Sequence, residues 1–144
     1  MPGTTGKTIT SEHSLPVRFN EVDSMGIVWH GNYIQYLEDA REKFGLKHNI
    51  DYLTIASQGF QIPVVDINIK YKKPLRYGDS VKVISTFIDT QAAKIIFNYQ
   101  LFHEASGELC TAAETTQVFI NLKGELQVVP PAFFIEWKRK VGLL

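Results

Sequence analysis

One stretch of this chain has the periodicity of a long helix, and almost everything around it is patterned as strand. Tyr33, Tyr36, Leu37, Ala40 and Phe44 fall at i, i+3, i+4, i+7 and i+11 and line one face, while Gln35, Glu38, Asp39, Glu42 and Lys43 fall mostly elsewhere. Asn32 is placed to cap the start of this helix and Gly45 to stop it. A helix of about 14 residues is roughly 20 Å long. About four or five strands at roughly 4.8 Å spacing make a sheet of similar width. The pattern therefore predicts one helix laid across one sheet, with its aromatic stripe in the core.

An opening strand is predicted from roughly Thr8 to Phe19, before the helix. After the helix, Asp66 to Lys72 alternates Ile67, Ile69 and Tyr71 against polar side chains, the pattern of a half-buried strand that Pro74 and Gly78-Asp79 end. Val81 to Asp89 and Ile95 to Glu104 read as the next two strands, the second setting Phe97, Tyr99 and Leu101 against Asn98, Gln100 and Phe102. Ser106-Gly107 turns that strand into Leu109 to Asn121, and Lys123-Gly124 makes the next turn. Such tight turns leave no room for parallel crossovers, so the strands form an antiparallel meander and not a doubly wound nucleotide-binding sheet. From Ala112 to Ile120 the mixture of small, Thr and apolar residues predicts a face partly buried against another chain. Pro130-Pro131 followed by Ala132 to Lys140 predicts a short C-terminal helix whose basic run complements the helix end.

The 144 residues suit a single domain, read as 11–144 behind a poorly ordered, Gly- and Thr-rich start over 1–10. Lys plus Arg and Asp plus Glu each number 15, so no charge excess points to nucleic acid. No apolar run is long enough to span a membrane and the first residues lack the core of a secretory signal, which reads as a cytoplasmic protein. Cys110 is the only cysteine, so no internal disulfide forms, and its default role is a core thiol. His13, His48 and His103 lack metal-ligand spacing, and no metal is expected. Neither a Gly-x-Ser-x-Gly elbow nor a phosphate-binding loop is present.

What remains for chemistry is Asp23-Ser24-Met25-Gly26-Ile27-Val28-Trp29-His30, which sets a carboxylate shortly before the helix. A helix start offers unpaired backbone N–H groups and the positive end of the peptide dipoles, a combination that polarises a carbonyl oxygen. A carboxylate in this position is also an ordinary turn or capping residue. Glu21 precedes Asp23 on the same strand face and reads as a surface or salt-bridged acid, and Arg41 as a residue that ties the helix to a strand.

The run Val17 to Tyr33, followed by Tyr36-Leu37-Glu38 and Ala40-Arg41, resembles the signature of hotdog-fold acyl-CoA thioesterases of the 4-hydroxybenzoyl-CoA thioesterase family, including those encoded beside the Tol-Pal system. Lys70-Tyr71-Lys72-Lys73-Pro74-Leu75-Arg76-Tyr77-Gly78-Asp79 continues the likeness, which covers almost everything after about Leu15. The resemblance implies an α+β hotdog fold, an antiparallel sheet wrapped around one central helix. It implies hydrolysis of acyl-CoA to a carboxylic acid and CoA, with no cofactor besides the CoA of the substrate. It makes Asp23 the catalytic carboxylate, as nucleophile or as general base on water, and assigns the backbone N–H of His30 to the thioester carbonyl. Gly26, Ile27, Val28, Trp29 and Tyr33 would line the substrate. Where the family has a basic cluster for the nucleotide phosphates this chain has Gln91-Ala92-Ala93-Lys94, leaving Lys94 as the charge there and Lys70, Lys72 and Lys73 as alternatives. The departure opens acyl carrier protein as the carrier. A homodimer or homotetramer is implied, with the acyl site between subunits. The competing readings are a non-catalytic acyl-CoA-binding module and a hotdog hydratase.

Overall fold

The computed structural model describes residues 3–144. Five strands form one antiparallel sheet in the order β1–β4–β5–β6–β3, where β1 is Thr4–Pro16, β3 Val64–Tyr71, β4 Ser80–Thr90, β5 Lys94–His103 and β6 Glu108–Val118. The long helix α1, Tyr33–His48, lies against this sheet and is followed by a short helix α2, Tyr52–Ser57. A small second sheet pairs β2, Phe60–Gln61, with β7, Ile120–Asn121, and α3, Ala132–Lys140, closes the chain. This is the expected hotdog arrangement of one helix across one antiparallel sheet.

The helical stripe is buried as its spacing requires. Tyr33, Tyr36, Leu37, Ala40 and Phe44 are all buried, and the Phe44 ring meets Phe87 of β4 and Phe97 of β5 at centroid distances of 6.0 and 4.8 Å. On β5, Phe97, Tyr99 and Leu101 face the core while Asn98 and Gln100 face out. On β6 the inward residues are Thr111, Ala113, Thr115 and Gln117, while Ala112, Glu114, Thr116 and Val118 alternate with them on the outer, half-buried face.

Several expectations are corrected. The start predicted to be poorly ordered over 1–10 is strand from Thr4 onward: β1 pairs with β4 from Thr4↔Thr90 to Pro16↔Ser80, and Thr5 Oγ1 donates to Asp89 Oδ2 at 2.7 Å. Met1 and Pro2 lie outside the described residues. Phe19, expected to end the first strand, begins a 3₁₀ turn over Phe19–Glu21. Gly45 does not stop α1; the helix runs on to His48 and ends at Asn49, which takes the left-handed conformation with φ 59°. Gly45 is there for space: a Cβ would lie 2.9 Å from Asp51 Cα, because the chain crosses tightly over the helix and Ile50 N–H donates to Gly45 O at 2.9 Å.

Nor is β3 half-buried. It is an edge strand in which Ile69 packs on the core, Tyr71 is half exposed with its ring against Tyr33, and Ile67 is exposed. The basic run of α3 is not uniformly a solvated end either. Lys138 is buried, its Nζ 2.7 Å from Asp89 Oδ1 and donating to Thr90 O at 2.7 Å. A buried charge is tolerated only when paired and hydrogen-bonded, and these contacts meet that need while fastening α3 to the end of β4.

Candidate active site

The loop between β1 and α1 folds back on itself as a small hairpin. Val22 bridges Val28, Asp23 N–H donates to Ile27 O at 2.8 Å, and Gly26 N–H donates to Asp23 O at 3.0 Å. Gly26 sits at φ 76°, a conformation that side-chain-bearing residues rarely adopt, which is why the turn needs glycine there. One carboxylate oxygen of Asp23, Oδ1, accepts Met25 N–H at 2.8 Å. Among the described residues Oδ2 has no hydrogen-bond partner, so the carboxylate is oriented but keeps a free oxygen.

The hairpin is held from behind by Glu21. Expected at the surface, Glu21 is instead buried. Its Oε1 accepts Arg18 N–H at 2.7 Å and the Tyr36 hydroxyl at 2.9 Å. Its carbonyl accepts Trp29 N–H at 2.9 Å and Asn32 Nδ2 at 2.8 Å. Asn32 thus spends its side chain on Glu21; it is already helical and does not cap α1. Burial, and then the bond to Glu21, hold the Tyr36 hydroxyl well above its usual pKa, so it stays a donor.

A 3₁₀ turn over His30–Asn32 leads directly into α1. Asn32 N–H donates to Trp29 O at 2.9 Å, but the backbone N–H groups of His30 and Gly31 meet no acceptor among the described residues. The first donors of a helix have no partner in their own helix, so both are open. The His30 carbonyl accepts the Tyr71 hydroxyl at 2.7 Å, which ties the end of β3 to the helix start. Gly31 leaves room for the Trp29 indole; a Cβ there would lie 2.2 Å from the ring. Phe19, Met25, Trp29, Tyr71 and Tyr77 surround the loop, all at least half exposed.

Asp23, Gly26, Ile27, Trp29 and His30 therefore lie together on one short hairpin and its exit. Val28 and Tyr33 do not present themselves to a ligand: both are buried, Val28 N–H is spent on Leu75 O at 2.8 Å, and the Tyr33 ring packs on Tyr36 and Tyr71. Lys94 is not brought to Asp23 within one chain. Arg76 bridges Ile27 just before β4, whereas Lys94 begins β5 beyond the far end of β4, a strand length of about 35 Å away. Of the alternative cations, Lys73 pairs with Glu108. Arg41 pairs with Glu38 on its own helix and also meets the Tyr99 hydroxyl of β5, a tie to a strand of the kind expected. Glu21, Tyr36, Gly31 and Tyr71 are contributors the sequence reading missed. The only local hint is the place of Glu21 opposite Trp29, which needs the hairpin to be known first.

Away from this loop, a cavity of about 490 Å³ opens beside the middle of α1, and no residue from Asp23 to Tyr33 lines it. Among the described residues no helix is long and apolar enough to cross a membrane.

Residues 17–137 match the family model of the thioesterase-like superfamily. The chain is 32% identical over 127 residues to the Bacillus subtilis protein named "Putative acyl-CoA thioesterase YneP", covering 88% of this chain and 91% of that one. The solved DHNA-CoA thioesterase of Staphylococcus aureus superposes with a TM-score of 0.83 at 30% identity over 94% of this chain and 92% of that one. The 4-hydroxybenzoyl CoA thioesterase of Pseudomonas sp. strain CBS-3 shares the fold, with a TM-score of 0.74 at 23% identity over 90% of this chain and 98% of that one. The match across the hairpin, the helix and the sheet means that this chain belongs to the thioesterase-like superfamily.

Proposed function

We propose that this chain is an acyl-CoA thioesterase that works at the Asp23 hairpin. The observation that carries the reading is the pair of open backbone donors at His30 and Gly31 beside a carboxylate with a free oxygen. The thioester oxygen rests on one or both N–H groups, which stabilise the negative charge that develops on it. The free Asp23 oxygen then attacks the carbonyl carbon and expels the thiolate, leaving a mixed anhydride that water opens. In the general-base route Asp23 takes a proton from water as the water attacks and the thiolate leaves. Thiolate is a good leaving group, so neither route needs an activated Ser or Cys. The imidazole of His30 is exposed and positions or protonates at the rim. The names of the relatives support this activity, and it needs no cofactor beyond the substrate's own carrier. We place it in the cytoplasm, where a single unpaired cysteine is at home.

The reading includes a second copy paired along β3. This edge carries Val65 at 58% and Ile67 at 41% exposure, apolar surface on an unpaired strand that a partner strand would cover. Tyr71, at one end of β3, holds His30, while Val64, at the other end, pairs with Gln117 beside the cavity. Within one chain these ends are about 23 Å apart; a two-fold antiparallel pairing would bring the His30 end of one copy to the cavity end of the other at about one strand spacing, roughly 4.8 Å. Lys94 could then serve only a neighbouring copy's site.

The test is thiol release from short, medium, long and aromatic acyl-CoAs and from acyl carrier protein thioesters, with parent and Asp23→Asn proteins side by side. Cleavage that the substitution abolishes in a folded protein is the expected result, and the panel names the carrier and acyl class. No cleavage of any member overturns the reading in favour of a binding module; an Asn variant as active as the parent overturns the site.

A further inference from the structure

The Asp23 hairpin rests on a second turn. Val28 N–H donates to Leu75 O at 2.8 Å, Ile27 bridges Arg76, and Tyr77 N–H donates to Gly26 O at 3.3 Å, so residues 75–77 run as a strand beside the hairpin. Asp79 closes that turn: its N–H donates to Arg76 O at 3.0 Å and its Oδ2 accepts Arg76 N–H at 2.8 Å. Glu21 closes a turn on the helix side in the same way, its N–H donating to Arg18 O at 3.0 Å and its Oε1 accepting Arg18 N–H at 2.7 Å. The two turns are joined, because Val17 N–H donates to Asp79 O at 2.9 Å. Each carboxylate also meets one side chain from a neighbouring element. For Glu21 it is Tyr36 of α1; for Asp79 it is His103 of β5, with Nε2 3.3 Å from Asp79 Oδ1. His103 is itself fixed by the turn that follows it. Ser106 N–H donates to Nδ1 at 3.2 Å and Ser106 Oγ lies 2.7 Å from the same atom, which makes Nδ1 the acceptor and assigns the ring proton to Nε2, on the side of Asp79.

Resting on the thioesterase reading above, we infer that Asp79 and His103 are positioning residues for Asp23: they hold the sheet side of the hairpin as Glu21 and Tyr36 hold its helix side. Their effect runs through backbone, from the turn that Asp79 closes to Gly26 and Ile27, and from Ile27 O to the N–H of Asp23. Magnitudes separate this role from a purely structural one. The His103–Asp79 pair is partly exposed, with 30% and 23% of the side-chain surfaces in solvent, and exposed pairs contribute little to stability. A reacting group displaced by about 1 Å can lose about 10²-fold in rate. Cutting the pair therefore costs catalysis far more than it costs the fold.

Asp79→Asn keeps an oxygen for Arg76 N–H but turns an amide NH2 group toward the Nε2–H of His103, so it cuts the pair and spares the turn. His103→Leu cuts the pair from the other side, and His103→Gln restores a donor. Thiol release by these proteins, by Asp79→Asn/His103→Leu and by the parent would be measured with an acyl-CoA that the parent cleaves. Asp79→Asn and His103→Leu should each lower kcat about 10- to 100-fold, with KM within about two-fold of the parent. The thermal midpoint should fall by no more than about 4 °C. His103→Gln should keep most of the parent kcat, and the double variant should be no slower than either single one, because both cut one link. A parent-like kcat in both single variants, a loss that tracks the midpoint, losses that multiply in the double variant, or a Gln variant as slow as Leu overturns the inference. Amide chemical shifts give a readout free of turnover: in His103→Leu the Asp23, Met25 and Gly26 N–H signals should move while those of α3 stay. Signals that stay put overturn the inference whatever the kinetics. Signals that move in a protein whose parent form cleaves no thioester sink the catalytic reading alone. If the Asp79 variant fails to fold, the two His103 variants still decide.

Discussion

The two ends of helix α1 are built on opposite principles. Its C-terminal end is tied down: Asn49 turns the chain left-handed, Ile50 N–H returns to Gly45 O, and Trp137 Nε1 donates to His48 O at 2.7 Å. Phe44 packs between Phe87 and Phe97, and Lys138 on α3 buries its charge against Asp89. At the N-terminal end the support lies behind the chain, in Glu21, and the front is left open. The N–H groups of His30 and Gly31 meet no acceptor among the described residues, and large aromatic side chains stand in solvent around them. Leaving backbone donors unmet and apolar rings exposed works against stability. The difference teaches that one end is tied into the fold and the other is left open, as the proposed site requires.

Substitutions at the two ends should therefore separate activity from stability. The largest effect expected is that of Asp23→Asn, a fall of about 10²–10⁴ in thiol-release rate. Asn keeps an oxygen for Met25 N–H, so thermal unfolding should match the parent. Tyr36→Phe removes a donor to the Glu21 carboxyl and should cost about 1.5–3 kcal/mol. Because that bond holds the hairpin, activity should fall with stability, seen by comparing denaturant midpoints with rates.

The Tyr36 bond also predicts a pH dependence. The hydroxyl pKa is raised in the folded state above its usual value of 10.0, so its contribution is fully present below about pH 10 and is lost as pH rises beyond that. The gap in unfolding free energy between parent and Tyr36→Phe should accordingly narrow in alkaline denaturant titrations.

At the other end, Gly45→Ala presses a methyl against Asp51 Cα and should cost about 1–3 kcal/mol, read as a lower Tm with the rate at 25 °C unchanged. A similar effect is expected for Trp137→Phe, which removes the donor to His48 O and part of a buried ring packed on Phe87 and Phe134, at about 1–3 kcal/mol, again without a change in rate.

The same contrast explains what could be read from the sequence. The stripe from Tyr33 to Phe44 and the alternation on β5 were legible because local periodicity decides which face is buried. That Asp23, Gly26 and His30 lie close together was legible because they are near neighbours in the chain, on one hairpin and its exit. Gly45 misled because its reason is a crossing by Ile50 and Asp51, not its own backbone freedom. The first strand was set too late because its pairing with Thr90 joins distant parts of the chain. Glu21 and Lys138 are charged residues whose burial depends on Tyr36 and Asp89, partners that no spacing rule supplies. The distance of Lys94 from Asp23 follows from counting along β4, once Arg76 is known to touch the hairpin.

The most direct test sets Asp23→Asn and Gly45→Ala beside the parent protein and measures kcat/KM for thiol release and the thermal midpoint on the same samples. The account predicts a crossed result: Asp23→Asn loses catalysis and keeps its midpoint, and Gly45→Ala loses midpoint and keeps catalysis. An Asp23→Asn protein that cleaves its substrate like the parent, or a Gly45→Ala protein that loses catalysis while its midpoint stays put, would contradict the division of labour along α1.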